Sequence, residues 1–218
     1  MKLNIDRGDD SQAYEIQLRH PTLLQAFIEI RENIDPSLGF DYACKSGVCG
    51  ACAVRVNGEE LLACQYDARS GDSIEPLRNF DIIKDLIVDK NLSTELIKKA
   101  KISIDNHSSV TLDAGDETKT IEQSNCILCC SCYSACPALD EKEDFLGPFV
   151  LTRVLRYAND NRAEASKTMM DTIQKNGIWD CVLCSACTDV CPQYIDSKED
   201  IVQLIKKSLS LGYVDPRA

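Results

Sequence analysis

The sequence predicts an α+β fold in two parts, a small mixed β-sheet packed on one helix and then an all-α region. Three observations support this fold class. Apolar and polar residues alternate over residues 2–6 and 13–18, as in strands with one buried face. Beyond residue 147, apolar residues recur at helical spacing instead. The 13 cysteines fall into three groups, one in the first part and two in the second.

The first part is expected to place one helix after its first two strands. Thr22 and Gln25 form a capping-box pattern, and Pro36 marks the end of the helix. A hairpin is predicted around the Asn57-Gly58 turn, and a final strand near residues 73–77 completes the sheet. Such a sheet is the β-grasp arrangement of plant-type ferredoxins. The helix face expected to point inward consists of Leu23, Phe27, Ile30 and Ile34.

Four cysteines of the first part have the spacing C-x4-C-x2-C…C, which in plant-type ferredoxins binds a [2Fe-2S] cluster. Gly47 and Gly50 suit a loop that folds tightly over such a cluster. Glycine accepts a positive φ and lets backbone amides approach the sulfur atoms. The predicted [2Fe-2S] ligands are Cys44, Cys49, Cys52 and Cys64.

Two cysteine runs organise the second part. Residues 126–137, with Cys130 left aside, form C-x2-C-x2-C-x3-C-P, and residues 181–192 repeat this spacing 55 residues later. In bacterial ferredoxins this run binds a [4Fe-4S] cluster and sends its fourth cysteine to a second cluster. One predicted [4Fe-4S] ligand set is therefore Cys126, Cys129, Cys132 and Cys191. The other set is Cys136, Cys181 and Cys187, with Cys184 as a further candidate.

Two other uses of the cysteines are disfavoured. Structural zinc takes four ligands per site and gives no reason for a repeated Cys-Pro ending. A disulfide framework does not fit an odd number of 13 cysteines, at a fraction below that of short secreted scaffolds. Thiolates that bind iron also require a reducing environment while the cluster is assembled.

Composition excludes further classes of function. A net charge of −11 argues against binding nucleic acid, which rewards clustered Lys and Arg. The first residues show neither an apolar export signal nor twin arginines. No apolar run approaches the ~20 residues of a membrane helix. We therefore expect any membrane association to come through a partner.

Residues 79–123 contain no ligand chemistry and are predicted to connect a domain at 1–78 with a domain at 124–218. Residues 93–101 are expected to form a helix capped by Ser93, and residues 103–120 to be looped. His107, like His20, is expected to be solvated. The apolar residues expected to pack against both domains are Ile82, Ile83, Leu86, Ile87 and Val88.

Helices are expected to join the two cysteine runs and to follow the second. Pro148 suits the first turn of one helix, and residues 163–176 form another that ends at Gly177. Ser197 is expected to cap a last helix that ends at Gly212. The inward face of this last helix is predicted to be Ile201, Leu204, Ile205 and Leu209.

The order and size of these parts resemble the iron–sulfur subunit of succinate dehydrogenase and fumarate reductase. The resemblance implies an electron-transfer subunit with no catalytic residue of its own. Such a subunit relays electrons between an FAD-containing flavoprotein and a membrane-associated, quinone-reactive subunit. The implied location is peripheral to the cytoplasmic membrane on the cytoplasmic side, with co-export alongside a partner as the alternative. Besides the cysteines, the resemblance includes residues 22–26, 35–38, 62–64, 75–80 and 83–86.

Two departures from the common form of this family indicate a subtype. The common form has a non-cysteine residue at the position of Cys184 and a [3Fe-4S] cluster. A fourth thiolate there makes a [4Fe-4S] cluster of lower potential. The aromatic and histidine residues of the family's quinone site are replaced by residues 138–140 and Val182. Both departures resemble the branch with a cysteine-rich third subunit, which includes 8-methylmenaquinol:fumarate reductase.

Two alternatives stay open at this point. One is a subunit of a thiol-dependent fumarate reductase, and the other is a free-standing multicluster ferredoxin that binds redox partners transiently. Two further residues near the ligands are assigned structural roles. Cys130 lies off the ligand spacing and is expected to be a small buried residue, and Trp179 is expected to be a packing residue.

Overall fold

The computed structural model describes residues 1–8, 10–102, 111, 114–118, 120–161 and 167–217. The chain divides into two compact units. The first comprises Met1–Lys90 and Ile127–Ala135, and the second comprises Asn91–Cys126 and Cys136–Ala218. A mixed sheet followed by helices confirms the predicted α+β class. The domain limits 1–78, 79–123 and 124–218 stay a prediction.

The first unit is built on a five-stranded sheet with the order β2-β1-β5-β3-β4. β1 and β5 are parallel, and the other neighbouring pairs are antiparallel, so the sheet is mixed as predicted. Leu3, Ile5 and Ile74 are fully buried on one face. The strands are β1 (Lys2–Asp6), β2 (Ser11–Glu15), β3 (Ala53–Val56), β4 (Glu59–Leu62) and β5 (Ser73–Glu75).

The hairpin of β3 and β4 turns at Asn57 and Gly58, whose φ values are +53° and +90°. Positive φ at both turn residues is typical of a tight hairpin, which confirms the prediction from Asn-Gly. The ladder continues past the strands, because the Ala63 amide donates to the Cys52 carbonyl at 3.0 Å. The hairpin therefore returns Cys64 to the vicinity of Cys52.

Helix α1 (Leu23–Asn33) covers the sheet and begins with both hydrogen bonds of the capping box between Thr22 and Gln25. Leu23, Phe27 and Ile30 are buried as predicted. The prediction for Ile34 is wrong, because the helix ends before this residue and leaves it 47% exposed.

A second hairpin, β6 (Ile82–Lys84) and β7 (Ile87–Val88), follows in the first unit. Leu86 and Val88 are buried in the core of this unit. The expectation that all the apolar residues here pack inward is wrong, since Ile82 and Ile83 are 49% and 65% exposed.

The second unit is helical among its described residues. Helix α7 begins at Pro148 as predicted and packs with the last helix, α10, through buried residues such as Val154, Ile201 and Leu204. The helices outside the first unit are α2 (Asn91–Lys99), α3 (Ala114–Thr118), α4 (Ile121–Ser124), α6 (Ala138–Glu141), α7 (Pro148–Ala158), α8 (Lys167–Thr172), α9 (Ala186–Asp189) and α10 (Ser197–Ser210), and α5 (Ser131–Ser134) belongs to the first unit.

Several predicted helix ends in this unit are wrong. Helix α10 is capped by Asp196, whose carboxylate accepts the Glu199 amide at 3.0 Å, whereas Ser197 is already the first helical residue. Leu209 is 52% exposed instead of inward. Helix α2 begins at Asn91, so Ser93 lies inside it.

Other expectations fall partly outside the described residues. The prediction that residues 103–120 are looped is wrong over Ala114–Thr118, which form helix α3. Helix α8 lies within the predicted helix 163–176, of which residues 163–166 are outside the described ranges. The predicted end at Gly177 is wrong, because the helix ends at Thr172 and residues 173–177 form turns. His107 also lies outside them, and His20 is exposed. Across the described ranges, no helix combines the length and apolarity needed to cross a bilayer.

Candidate functional site

The four cysteines predicted to bind a [2Fe-2S] cluster lie together in the first unit. The thiols of Cys44 and Cys49 are hydrogen-bonded, and Cys52 interacts electrostatically with both Cys49 and Cys64. Burial raises the pKa of the Cys52 thiol to about 12. The Ser46 amide donates to Cys44 Sγ at 3.4 Å, and together with Cys49 and Val48 it lowers the pKa of that thiol to about 6. The loop thus donates backbone hydrogen bonds to the sulfur of Cys44 and buries the sulfur of Cys52.

The two cysteine runs share an unusual backbone feature. Leu128 and Cys130, on either side of Cys129, have φ values of +53° and +70°. Leu183 and Ser185, on either side of Cys184, have φ values of +55° and +75°. Left-handed backbone at two non-glycine residues is costly and rare, so its repetition indicates that both runs form the same turn.

The helix that follows each turn confirms this equivalence. The amides of Tyr133 and Ser134 donate to the Cys130 carbonyl, and those of Thr188 and Asp189 donate to the Ser185 carbonyl. Cys130 therefore occupies the position that Ser185 occupies in the second run. It is 1% exposed, and its Sγ lies 3.4 Å from the Leu128 carbonyl oxygen. These contacts agree with the expected role of a small buried residue.

The cysteines predicted to hold the last cluster lie together in the second unit. Burial raises the pKa of the Cys136 and Cys187 thiols to about 11 and about 12. Electrostatic interactions with Cys181 and Cys184 contribute to both raised pKa values, after burial. Cys184 also interacts with Cys181. All four thiols, including that of Cys184, therefore form one group.

For the remaining ligand set, the second unit brings Cys126 and Cys191 together. Burial raises the pKa of the Cys191 thiol, and the nearby Cys126 raises it further. The Ile195 amide donates to Cys191 Sγ at 3.4 Å. Cys129 and Cys132 lie on the segment of the first unit that includes residues 127–135. Their membership of this set stays a prediction.

Asp200 is a polar residue near this site that no sequence pattern indicates. Its carboxylate is 2% exposed and accepts hydrogen bonds from Gln123 Nε2 at 2.7 Å and Thr152 Oγ1 at 2.8 Å. Burial raises the pKa of this carboxyl to about 6. Asp200 also raises the pKa of Cys191, so its charge acts on that thiol. Trp179 is buried as predicted, and its Nε1 donates to Gln174 Oε1.

The chemistry of these thiols fits iron–sulfur clusters. A buried thiolate without a nearby cation is unstable, as the raised pKa values show, and iron supplies the missing positive charge. Backbone amides that donate hydrogen bonds to sulfur tune the reduction potentials of such clusters. Within the described residues, no group of three or more His, Cys, Asp or Glu side chains is arranged to hold a single metal ion. A cluster is wider than one ion and takes its thiolates from several sides.

A mixed sheet with a four-cysteine loop, followed by helices with two ferredoxin-type runs, defines an iron–sulfur protein for electron transfer. Family models agree with this class. Residues 3–95 match a 2Fe-2S iron-sulfur cluster binding domain, and residues 122–195 match a 4Fe-4S dicluster domain. The chain therefore has both [2Fe-2S] and [4Fe-4S] cofactors, as predicted.

Curated relatives identify the family. The chain is 35% identical to the 8-methylmenaquinol:fumarate reductase iron-sulfur subunit of Wolinella succinogenes, over 97% of this chain and 75% of the relative. It is 34% identical to the fumarate reductase iron-sulfur subunit of Escherichia coli, over 91% of this chain and 86% of the relative. The chain belongs to the family of fumarate reductase and succinate dehydrogenase iron–sulfur subunits, and its function is electron transfer.

A solved structure shows the same fold. The Mycobacterium smegmatis Sdh1 complex in the apo form contains a chain that superposes with a TM-score of 0.87 at 22% identity. The match covers 99% of this chain and 98% of that chain. The predicted arrangement of a β-grasp domain followed by a two-cluster helical domain is thus confirmed.

Proposed function

We propose that this chain relays electrons between an FAD-containing flavoprotein, which interconverts succinate and fumarate, and a quinone-reactive partner. Three clusters form the relay. The proposed [2Fe-2S] ligands are Cys44, Cys49, Cys52 and Cys64. The proposed ligands of the middle [4Fe-4S] cluster are Cys126, Cys129, Cys132 and Cys191. The last cluster is proposed to be [4Fe-4S], held by Cys136, Cys181, Cys184 and Cys187.

The observation that carries the last assignment is the turn around Cys184. This turn has the same pair of left-handed residues as the turn around Cys129, and the Cys184 thiol interacts with the other three thiols of its set. A spare thiol has no need of a ligand turn whose two left-handed residues each cost roughly 1–2 kcal/mol.

The clusters supply one-electron chemistry, and the residues of this chain set where and at what potential it occurs. The buried positions of Cys52 and Cys187 limit access of water to the metal sites. Amides that donate to Cys44, Cys181 and Cys191 stabilise negative charge on sulfur, which favours the reduced state. A fourth thiolate from Cys184 adds negative charge and lowers the potential of the last cluster.

The surface near Cys184 supports a partner at the last cluster. Val182 and Leu183 are 63% and 38% exposed, although both are apolar and lie within the second run. Exposed apolar residues at a redox site are typical of a surface that another subunit covers. We infer that this subunit is cysteine-rich, as in the branch that the sequence resembles. It also holds the chain at the periphery of the cytoplasmic membrane, on the cytoplasmic side.

Electron paramagnetic resonance (EPR) of the anaerobically purified complex tests this proposal, with iron counted per chain. Two clusters of four irons and one of two predict about ten irons and no [3Fe-4S] signal in the oxidised state. About nine irons with a strong oxidised [3Fe-4S] signal overturn the assignment of Cys184.

Two further outcomes concern the function as a whole. Purification without any flavoprotein supports a free-standing ferredoxin instead. Reduction of fumarate by thiols, and not by quinols, supports a thiol-dependent reductase.

A further inference from the structure

The loop that carries the [2Fe-2S] ligands touches the backbone of Cys129 within the first unit. Gly50 lies between Cys49 and Cys52 and has φ of +71°. A Cβ atom placed on Gly50 would lie 2.7 Å from Cys129 Cα and 2.8 Å from Cys129 Cβ. Real Cβ atoms do not approach other atoms this closely. The two backbones are therefore in direct contact because residue 50 has no side chain.

A lysine side chain also holds the loop at this point. Lys90 Nζ donates to the carbonyl oxygens of Gly50 and Ala51, each at 3.2 Å. Hydrogen bonds from a charged donor are stronger than those between neutral groups. Lys90 thus holds the part of the loop that contacts Cys129.

The segment around Cys129 is equally well held. Ser134 Oγ accepts the Arg78 amide at 2.8 Å and donates to Glu60 Oε1 at 2.7 Å. The Phe80 and Tyr133 rings pack with centroids 5.2 Å apart. Cys129 itself is buried in the core of the first unit. Both sides of the contact are therefore held by hydrogen bonds or by packing within the first unit.

We propose that the contact between Gly50 and Cys129 is where electrons cross between the [2Fe-2S] cluster and the middle cluster, with Gly50 as the positioning residue. This inference rests on the ligand sets proposed above. One electron leaves the first site, which is oxidised, and enters the site that contains Cys129, which is reduced. No bond forms or breaks, and no proton moves. Electron transfer through protein slows steeply with distance, so a direct backbone contact favours this route.

The variant Gly50→Ala tests the contact, and Gly47→Ala is its matched control. Gly47 lies in the same loop with φ of +79°, but its Cβ would meet only the flexible Gln65 side chain, at 3.0 Å. Backbone strain is therefore common to both variants. Only the Gly50 variant pushes the loop away from Cys129, by about 0.7 Å to reach an ordinary contact distance of 3.4 Å.

The measurement is the rate at which the photoreduced [2Fe-2S] cluster of the intact complex passes its electron to the middle cluster. EPR of the same samples gives cluster content, midpoint potentials and spin–spin broadening. We expect several-fold slower transfer and weaker broadening in the Gly50 variant than in the Gly47 variant, at similar potentials. Equal rates and equal broadening in the two variants overturn the inference.

A second variant covers the case in which Gly50→Ala does not retain its cluster. Lys90→Met keeps Gly50 but removes the hydrogen bonds to the two carbonyl oxygens. We expect slower electron transfer in this variant after the rate is corrected for the measured change in cluster potential. An unchanged corrected rate overturns the inference. Failure of the proposed function gives a different result, since the wild-type complex would then lack the signals of one or both clusters.

Discussion

The two cysteine runs, residues 126–137 and 181–192, have the same turn and different surroundings. In the first run, Cys129 and Cys130 are buried in the core of the first unit. In the second run, Cys184 is exposed together with Val182 and Leu183. The spacing of the cysteines thus specifies the turn, whereas residues far away in sequence decide how much of it meets solvent. Exposure of a cluster changes its potential and its access to partners, so we expect the clusters proposed for the two runs to serve different steps of the relay.

The largest expected effect comes from removing the central thiol of each run. Cys129→Ser removes a proposed ligand from a buried position, so we expect loss of the middle cluster. Cys184→Ser removes a proposed ligand from an exposed position, so we expect a [3Fe-4S] cluster and loss of about one iron per chain. EPR with iron analysis measures both. The same response in the two variants would show that the different burial of the two thiols does not decide the outcome.

Asp200 gives a second difference between the two runs, because its charge acts on Cys191 of the second run. The pKa of this carboxyl is raised from 3.8 to about 6, so the folded state binds its proton more tightly than the unfolded state. Its ionisation therefore lowers stability above about pH 6, and this cost disappears as the pH falls below 3.8. We expect Asp200→Asn to raise the free energy of unfolding at pH 7.5 by up to about 3 kcal/mol.

Anaerobic urea unfolding at pH 7.5 and pH 5 measures this effect. The difference between the variant and the wild type should shrink at the lower pH, where much of the wild-type carboxyl is already protonated. A difference that is independent of pH would show that the loss of charge is not its cause.

The runs also differ in the helix that follows each of them. Helix α10, after the second run, is capped by the side chain of Asp196, whereas Pro137 makes no side-chain cap for helix α6. We expect Asp196→Ala to cost about 1 kcal/mol of stability, because the Glu199 amide loses its acceptor. Thermal unfolding measures the loss, and Lys198→Ala on the same turn is the control. An equal loss of stability in both variants would show that the helix cap is not the cause.

The smallest effect is expected from exchanging the residues that follow the central thiols. Cys130 and Ser185 occupy equivalent positions, so Cys130→Ser and Ser185→Cys should leave the iron content and the EPR signals unchanged. Cys130→Ser should lower stability slightly, because it replaces a buried thiol with a more polar hydroxyl. Loss of iron in Cys130→Ser would show that this thiol takes part in binding a cluster.

Cysteine spacing, strand alternation and the Asn-Gly turn are local signals, which is why the sheet, the family and the candidate ligand sets could be predicted from the sequence. The left-handed residues could not, because Leu128 and Leu183 have no intrinsic preference for positive φ and the turn imposes it. The role of Asp200 depends on Gln123 and Thr152, which come from distant parts of the chain. The cap at Asp196 was detectable, since Asp196 and Glu199 form a capping-box pattern.

The first unit is discontinuous in the sequence, since residues 127–135 complete what residues 1–90 begin. A ribosome makes the chain from its N-terminus, so the [2Fe-2S] loop is synthesised well before the segment that packs against Gly50. Until residue 135 has emerged, Glu60 and Arg78 lack their partner Ser134, and the loop is uncovered on that side. The first unit therefore completes its packing only after residues 127–135 have been synthesised.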